Sequence, residues 1–123
     1  MFTIDTNVLI YHVNRDESVS KFLITAYDRG VMLYLPTITL TEFFAYPDLT
    51  SKERQRFEDV LLYFDTIDLS VPIALLAGDL RREYQMKLGD SIIAATALHT
   101  GSTLVTRNVK DFESVEKLKV KKV

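Results

Sequence analysis

The first ten residues, Met1-Phe2-Thr3-Ile4-Asp5-Thr6-Asn7-Val8-Leu9-Ile10, constrain the fold more than any other stretch. A short apolar run, Phe2 and Ile4, stops at a carboxylate, two small polar residues follow, and apolar residues resume. This order reads as a strand with Asp5 at its carboxyl end, leading directly into a helix over Thr6 to about Val13. Such a start is typical of the first strand of an α/β sheet, where ligands bind in the crevice outside the carboxyl ends of the strands. Asp5 would stand at that crevice.

The rest of the chain alternates in the same way. After a turn at Asn14-Arg15-Asp16, Val19, Phe22, Leu23, Ala26 and Tyr27 recur at helical spacing, and Gly30 is a candidate C-cap. Val31–Leu35 predicts a buried strand ending at Pro36. Thr37 is placed to cap a helix carrying Leu40, Glu42, Phe43 and Phe44 until Pro47 stops it. Thr50 or Ser51 caps the next helix, with Phe57, Val60, Leu61 and Phe64 on its apolar face. Asp65–Leu69 reads as a short strand, and Ser70 with Pro72 starts a helix reaching about Met86. Gly89-Asp90 punctuates before an apolar helix over Ser91–His99 that ends at Gly101. Thr103–Thr106 predicts a strand ending in Arg107-Asn108, and Val120 offers a last short one. Strands alternating with helices predict a three-layer α/β/α fold, its central parallel sheet flanked by helices. No linker or repeat interrupts residues 1–123, so one domain is expected.

Composition excludes several classes. With no cysteine there is no disulfide, thiol catalysis or cysteine zinc site. No apolar run approaches the roughly 20 residues of a membrane span, and the N-terminus lacks signal-peptide order. A cytoplasmic protein without membrane contact is expected. The net charge of −2 leaves nucleic-acid binding to local patches. Cations do collect at Lys117, Lys119, Lys121 and Lys122, a run that also reads as a solubilising end. The glycines form no phosphate-cradling loop, and no nucleophile elbow is present. His12 and His99 are isolated and read as structural.

Four carboxylates fall where this reading puts the functional edge: Asp5, Glu42, Asp90 and Asp111. Each has a plain alternative, since Asp5 and Asp90 could cap helices, Asp111 could be a solvated loop residue and Glu42 could face outward. Glu42 sits among Leu40, Phe43 and Phe44, where an unpaired carboxylate is costly. Like charges about 4 Å apart repel by about 4 kcal/mol at an effective dielectric near 20. Carboxylates converging on one crevice therefore protonate or recruit a cation. An oxygen-only donor set suits Mg2+ or Mn2+ rather than zinc, and metal-assisted attack on a phosphodiester is the implied chemistry.

Four segments carry these acids: Ile4-Asp5-Thr6-Asn7, Thr41-Glu42-Phe43, Leu88-Gly89-Asp90-Ser91-Ile92-Ile93-Ala94-Ala95, and Thr106-Arg107-Asn108-Val109-Lys110-Asp111-Phe112. In this order and spacing they resemble the acidic motifs of PIN-domain ribonucleases, most closely the VapC-type toxins of toxin–antitoxin pairs. The resemblance implies a metal-dependent endoribonuclease. Asp5 and Asp90 would be the principal Mg2+ ligands, with Mn2+ as a substitute, and Glu42 and Asp111 would complete the catalytic cluster directly or through water. Thr6, Asn7, Thr106 and Asn108 match the polar positions that orient ligands and waters. The family further implies an RNA substrate, a VapB-type antitoxin whose C-terminal segment fills the active-site groove, and a homodimer. Arg107, Lys110, Lys87, Arg81 and Arg82 are candidate phosphate contacts beside the acidic motifs, with solvated charges as their alternative. Phe43, Phe44 and Tyr46 could line the antitoxin groove or pack in the core.

Three other readings stay open. One is a PIN-type RNA-processing nuclease without an antitoxin, and another is a non-catalytic PIN-like binding module, which the presence of all four acids disfavours. The third, an acid-rich phosphatase or receiver domain, is disfavoured because Asn7 stands where the phosphatase pattern needs a second Asp.

Overall fold

A computed structural model describes all 123 residues. Five parallel strands form one sheet in the order β3-β2-β1-β4-β5: β1 Phe2–Ile4, β2 Leu33–Pro36, β3 Asp65–Ile67, β4 Thr103–Thr106 and β5 Val120–Lys122. Phe2 is in register with Leu33 on one side and Thr103 on the other, and Ile4 with Val105. The order reverses direction between β1 and β4. In open α/β sheets the crevice at such a switch point is the usual ligand site.

Six helices cover the two faces: α1 Thr6–Val13, α2 Glu17–Asp28, α3 Thr37–Phe44, α4 Ser51–Leu61, α5 Val71–Tyr84 and α6 Leu88–Thr100. On one face Ile4, Leu33, Leu35 and Val105 pack with α1 to α4 around Phe43 and Phe57, whose rings stack at 4.3 Å. On the other, Leu104 packs with Ile73, Leu80, Ile93, Phe112 and Val115. Leu104 and Val105 illustrate the period of two that divides a strand between two cores. Residues Ser91 to Ala97 are all buried, because α6 lies between the sheet and α5. The three-layer fold with its central parallel sheet is the one expected. No helix is long and apolar enough to cross a membrane.

Several boundaries differ from the sequence reading. Strand β2 begins at Leu33 rather than Val31, since Gly30 (φ 74°) first turns the chain and the Val31 N–H donates back to Ala26 O of α2. Thr37 is the first residue of α3; Pro36 holds the cap position and provides no side-chain hydrogen bond. That helix ends at Phe44, before Pro47 can act. Strand β3 stops at Ile67 and α5 at Tyr84, where Gln85 adopts φ 56°. The largest difference bears on the site. Helix α6 starts at Leu88, not Ser91, so Asp90 lies inside its first turn and does not cap it.

Candidate active site

Asp5 follows β1 directly and caps α1, its Oδ1 accepting the Thr6 N–H at 2.8 Å. Its other oxygen accepts the Thr106 hydroxyl at 2.7 Å across the β1–β4 junction. The same Thr106 hydroxyl accepts the Asn108 backbone N–H at 3.0 Å. Capping therefore does not compete with a site role, because one carboxylate ends a strand, caps a helix and faces the switch point. Only 5% of Asp5 is exposed. Burial pushes its carboxyl up from 3.8 to about 6, with Asp90 and Glu42 adding to the rise and the two hydrogen bonds opposing it.

Glu42 is exposed, the outward-facing alternative of the two readings its apolar neighbours left open. Successive helix residues point about 100° apart, so Phe43 enters the core while Glu42 faces the crevice. Glu42 Oε1 accepts the Thr6 hydroxyl at 2.5 Å. Its Oε2 lies against α6, where a β-carbon on Gly89 would sit only 2.7 Å away. The absent side chain at position 89 is thus the slot that admits Glu42. Lys87, at the cap of α6, makes no side-chain hydrogen bond. The open N-terminal turn of α6, whose dipole favours anions, is faced by Glu42 and carries Asp90.

Asp90 is half-buried, and burial raises its pKa, reinforced by Asp111 and Glu42 and opposed by Lys87. Asp111 ends a short 3-10 turn over Val109–Asp111 and is exposed. Electrostatic coupling therefore links Asp5 with Glu42 and Asp90, and Asp90 with Glu42 and Asp111. Their oxygens do not meet in a closed cage: no three acidic or histidine side chains converge closely enough to enclose an ion. The donors present are carboxylate oxygens, the class that Mg2+ and Mn2+ accept.

The supporting residues divide. Asn7 Oδ1 accepts the Arg107 backbone N–H at 3.4 Å, tying α1 to the end of β4. The Arg107 side chain turns away to pair with Asp16 at 3.3 Å, donate to Ser18 at 3.2 Å and lie 4.2 Å over the Tyr11 ring. This clamp, absent from the sequence reading, left no local signal beyond Asp16 at the α2 cap, where it accepts the Val19 N–H. Arg81 donates to Met86 O at 3.2 Å and Arg82 pairs with Asp79 at 2.9 Å. Among the candidate phosphate contacts, only Lys87 and Lys110 lack such commitments, and Lys87 already acts on Asp90. Phe43 belongs to the core, Phe44 packs edge-on against Phe57, and Tyr46 is exposed. His12 is half-buried, its Nδ1 2.9 Å from Ser20 Oγ, and burial lowers its pKa.

A parallel sheet in the order 3-2-1-4-5 with acids at its switch point defines the class of α/β proteins to which PIN domains belong. The sequence model of the PIN domain matches residues 2–118, and the chain belongs to the PIN-domain family. Within that family it groups with VapC-type proteins. Ribonuclease VapC10 of Mycobacterium tuberculosis is 31% identical over 97% of this chain and 91% of its own. A toxin–antitoxin complex from Klebsiella pneumoniae contains a chain 31% identical, with a TM-score of 0.80 over 96% of this chain and 95% of that one. VapBC2 from Rickettsia felis, crystallised with a DNA fragment from its promoter, has the same fold: TM-score 0.87 at 23% identity, covering 99% of this chain and 98% of that one.

Proposed function

We infer that this chain is a divalent-metal-dependent endoribonuclease of the VapC type, acting as one PIN domain in the cytoplasm and neutralised by a VapB-type antitoxin. The observation that carries this reading is the coupled set Asp5, Glu42, Asp90 and Asp111 at the β1–β4 switch point, with Asp5 held near a pKa of about 6. Burial resists the ionisation of Asp5 and two further carboxylates stand beside it, a combination that a bound cation would relieve.

Asp5 and Asp90 would hold the ion, with Glu42 and Asp111 completing the cluster directly or through water. When bound, Mg2+ or Mn2+ supplies charge stabilisation at the scissile phosphate and lowers the pKa of a coordinated water. The chain's own groups prepare the site. Thr6 and Thr106 fix both Asp5 oxygens, and Thr6 also fixes Glu42, so the donors need little reorganisation. Asn7, through the Arg107 backbone N–H, holds the ends of β1 and β4 in register. Glu42 and Asp111, both exposed at the rim, are the carboxylates that would accept a proton from a water entering the crevice.

The antitoxin part rests on kinship with the chain of the Klebsiella toxin–antitoxin complex. It is further supported by an apolar surface groove of about 410 Å3 between α2 and α4, lined by Leu23, Ile24, Tyr27, Val60, Tyr63 and Phe64. Exposed apolar surface of that kind marks interaction sites. None of the four acids lines this groove, so a partner seated there would add to the contact of the antitoxin's C-terminal segment with the active-site groove.

The test is cleavage of a mixed RNA pool with and without Mg2+ or Mn2+, comparing wild type with Asp5→Ala and Asp90→Ala. Metal-dependent cutting lost in both variants supports the assignment. Cutting that persists in the variants, or folded wild-type protein that neither cuts nor binds metal, refutes it.

A further inference from the structure

An acidic crevice repels the phosphates it must receive, and three of the five cations expected to help are committed elsewhere. Arg107 is clamped to Asp16 and Ser18, Arg82 to Asp79, and Arg81 to a backbone carbonyl. The free cations nearest the clamp lie along α2. A shallow groove of about 460 Å3 is lined by Ser18, Lys21, Phe22, Thr25 and Arg29, with Ala26 and Val31 at its floor. Its upper end is Ser18, the residue that accepts the Arg107 guanidinium at the carboxyl end of β4. Its side is the edge strand β5, where Lys121 Nζ stands 5.7 Å over the Phe22 ring.

Strand alternation puts Lys119 on the same side as Lys121, while Val120 packs into the opposite core. Lys21, Arg29, Lys119 and Lys121 are exposed, and none is within ion-pair distance of a carboxylate. Asp16 at the groove's end is occupied by Arg107, leaving Glu17 and Asp28 as the acids nearby on α2. The lysines at the C-terminus, whose alternative reading is a solubilising end, thus form one wall of a basic track.

We propose that the α2–β5 face, built from Lys21, Phe22, Arg29 and Lys121 and starting at the Arg107–Ser18 contact, carries the backbone of single-stranded RNA leading into the acidic crevice. Cations that follow a backbone, hydroxyls that donate to phosphate and a half-buried aromatic ring are the ingredients of sequence-tolerant single-strand binding. The proposal rests on the ribonuclease reading and adds the substrate's path. The Thr25 hydroxyl supplies a donor between the charges, the Ser18 hydroxyl being given to Asp16, and Phe22, held by Phe2 at 5.3 Å, seats Lys121 over its ring.

The experiment measures binding of a fluorescein-labelled unstructured RNA by anisotropy in EDTA, across a KCl series. Wild type is compared with Lys21→Gln/Arg29→Gln/Lys121→Gln, which keeps the side-chain stems, and with Lys52→Gln/Arg54→Gln/Arg56→Gln, which removes equal charge on α4. Each single-strand phosphate contact contributes about 0.7 to the slope of log K against log salt, so the first triple should flatten it by about 2 and weaken binding many-fold. The control triple should stay close to wild type. In multiple-turnover cleavage with Mn2+, KM should rise while kcat stays within about twofold. If the first triple melts early, Lys21→Gln and Arg29→Gln singly should each flatten the slope by about 0.7. An unchanged slope, or equal loss in both triples, overturns the track and leaves the surface to another occupant such as an acidic protein segment. RNA binding that depends on the track in a protein that cuts nothing refutes the nuclease reading alone.

Discussion

Replacing Asp5 with asparagine should stabilise the metal-free protein at neutral pH. A carboxyl that titrates at about 6 instead of 3.8 is disfavoured as a carboxylate in the folded state, by about 3 kcal/mol at about 1.4 kcal/mol per tenfold change in proton affinity. The sign follows from the raised folded-state pKa. Below pH 3.8 both folded and unfolded forms are protonated and no penalty exists; it grows as pH rises toward 6 and is complete above. The asparagine amide in Asp5→Asn would keep the acceptor for the Thr6 N–H but present an NH2 group to the Thr106 hydroxyl, which loses its acceptor. An unsatisfied buried hydroxyl costs about 1–2 kcal/mol, leaving a net gain of about 1–2 kcal/mol near pH 7.5. For a chain of this length that is a rise of roughly 3–8 °C in melting temperature. Calorimetric melts in EDTA at pH 7.5 and pH 4 check it. At pH 4 the gain should vanish or reverse, because the wild-type carboxyl is then largely protonated. Adding Mn2+ at pH 7.5 should raise the wild type but not Asp5→Asn, since an ion held only by the native state stabilises by mass action. An Asp5→Asn protein less stable than wild type by the same amount at both pH values would refute the view that Asp5 is a strained carboxylate suited to a cation.

Two further substitutions probe how the other acids are held. Gly89→Ala places a β-carbon 2.7 Å from Glu42 Oε2 and must displace that carboxylate; kcat for RNA cleavage should fall about 10- to 100-fold, as small misplacements do. Because Glu42 is a flexible, exposed side chain, the melting temperature should stay within about 3 °C, and in a Glu42→Ala background Gly89→Ala should weaken Mn2+ binding no further. An equal loss of Mn2+ affinity in both backgrounds would deny the slot. Thr106→Val removes the hydroxyl that favours the Asp5 carboxylate, so Asp5 should titrate above its value of about 6. The acid limb of kcat/KM should then move to higher pH by up to about a unit, and an unmoved limb would show that Thr106 does not set this ionisation.

The alternation of apolar runs and helical periods made the layers and the parallel sheet readable, because both depend on neighbours close in sequence. What failed were features set from a distance. Gly89 reads locally as a helix breaker, yet α6 runs through it from Leu88, and its missing side chain answers to Glu42, which lies far earlier in the chain. Glu42 could be read either way because Phe43 and Phe44 flank it, and which face it takes is set by the packing of α3, since on a helix adjacent residues face different ways. Arg107 follows a strand end and looked available to phosphate; its partners are Tyr11, Asp16 and Ser18, and no pattern in the final third of the chain announces them. The acids themselves were legible in part for a topological reason. In a parallel sheet all strands end on one edge, so a carboxylate just after a strand, or in the first turn of the next helix, must reach that edge. Position along the chain brings Asp5 to that edge, whereas Glu42 in the second turn of α3, Asp90 in a helix that follows a helix and Asp111 beyond β4 meet it through packing, and no local pattern says how far apart their oxygens lie. The separation is a balance between mutual repulsion, the Thr6 and Thr106 hydrogen bonds and the dipole of α6. That balance leaves the oxygens coupled by charge but not gathered into a cage. A divalent cation shared by Asp5 and Asp90 would offset the burial and repulsion that now raise the pKa of both, as protonation does at lower pH.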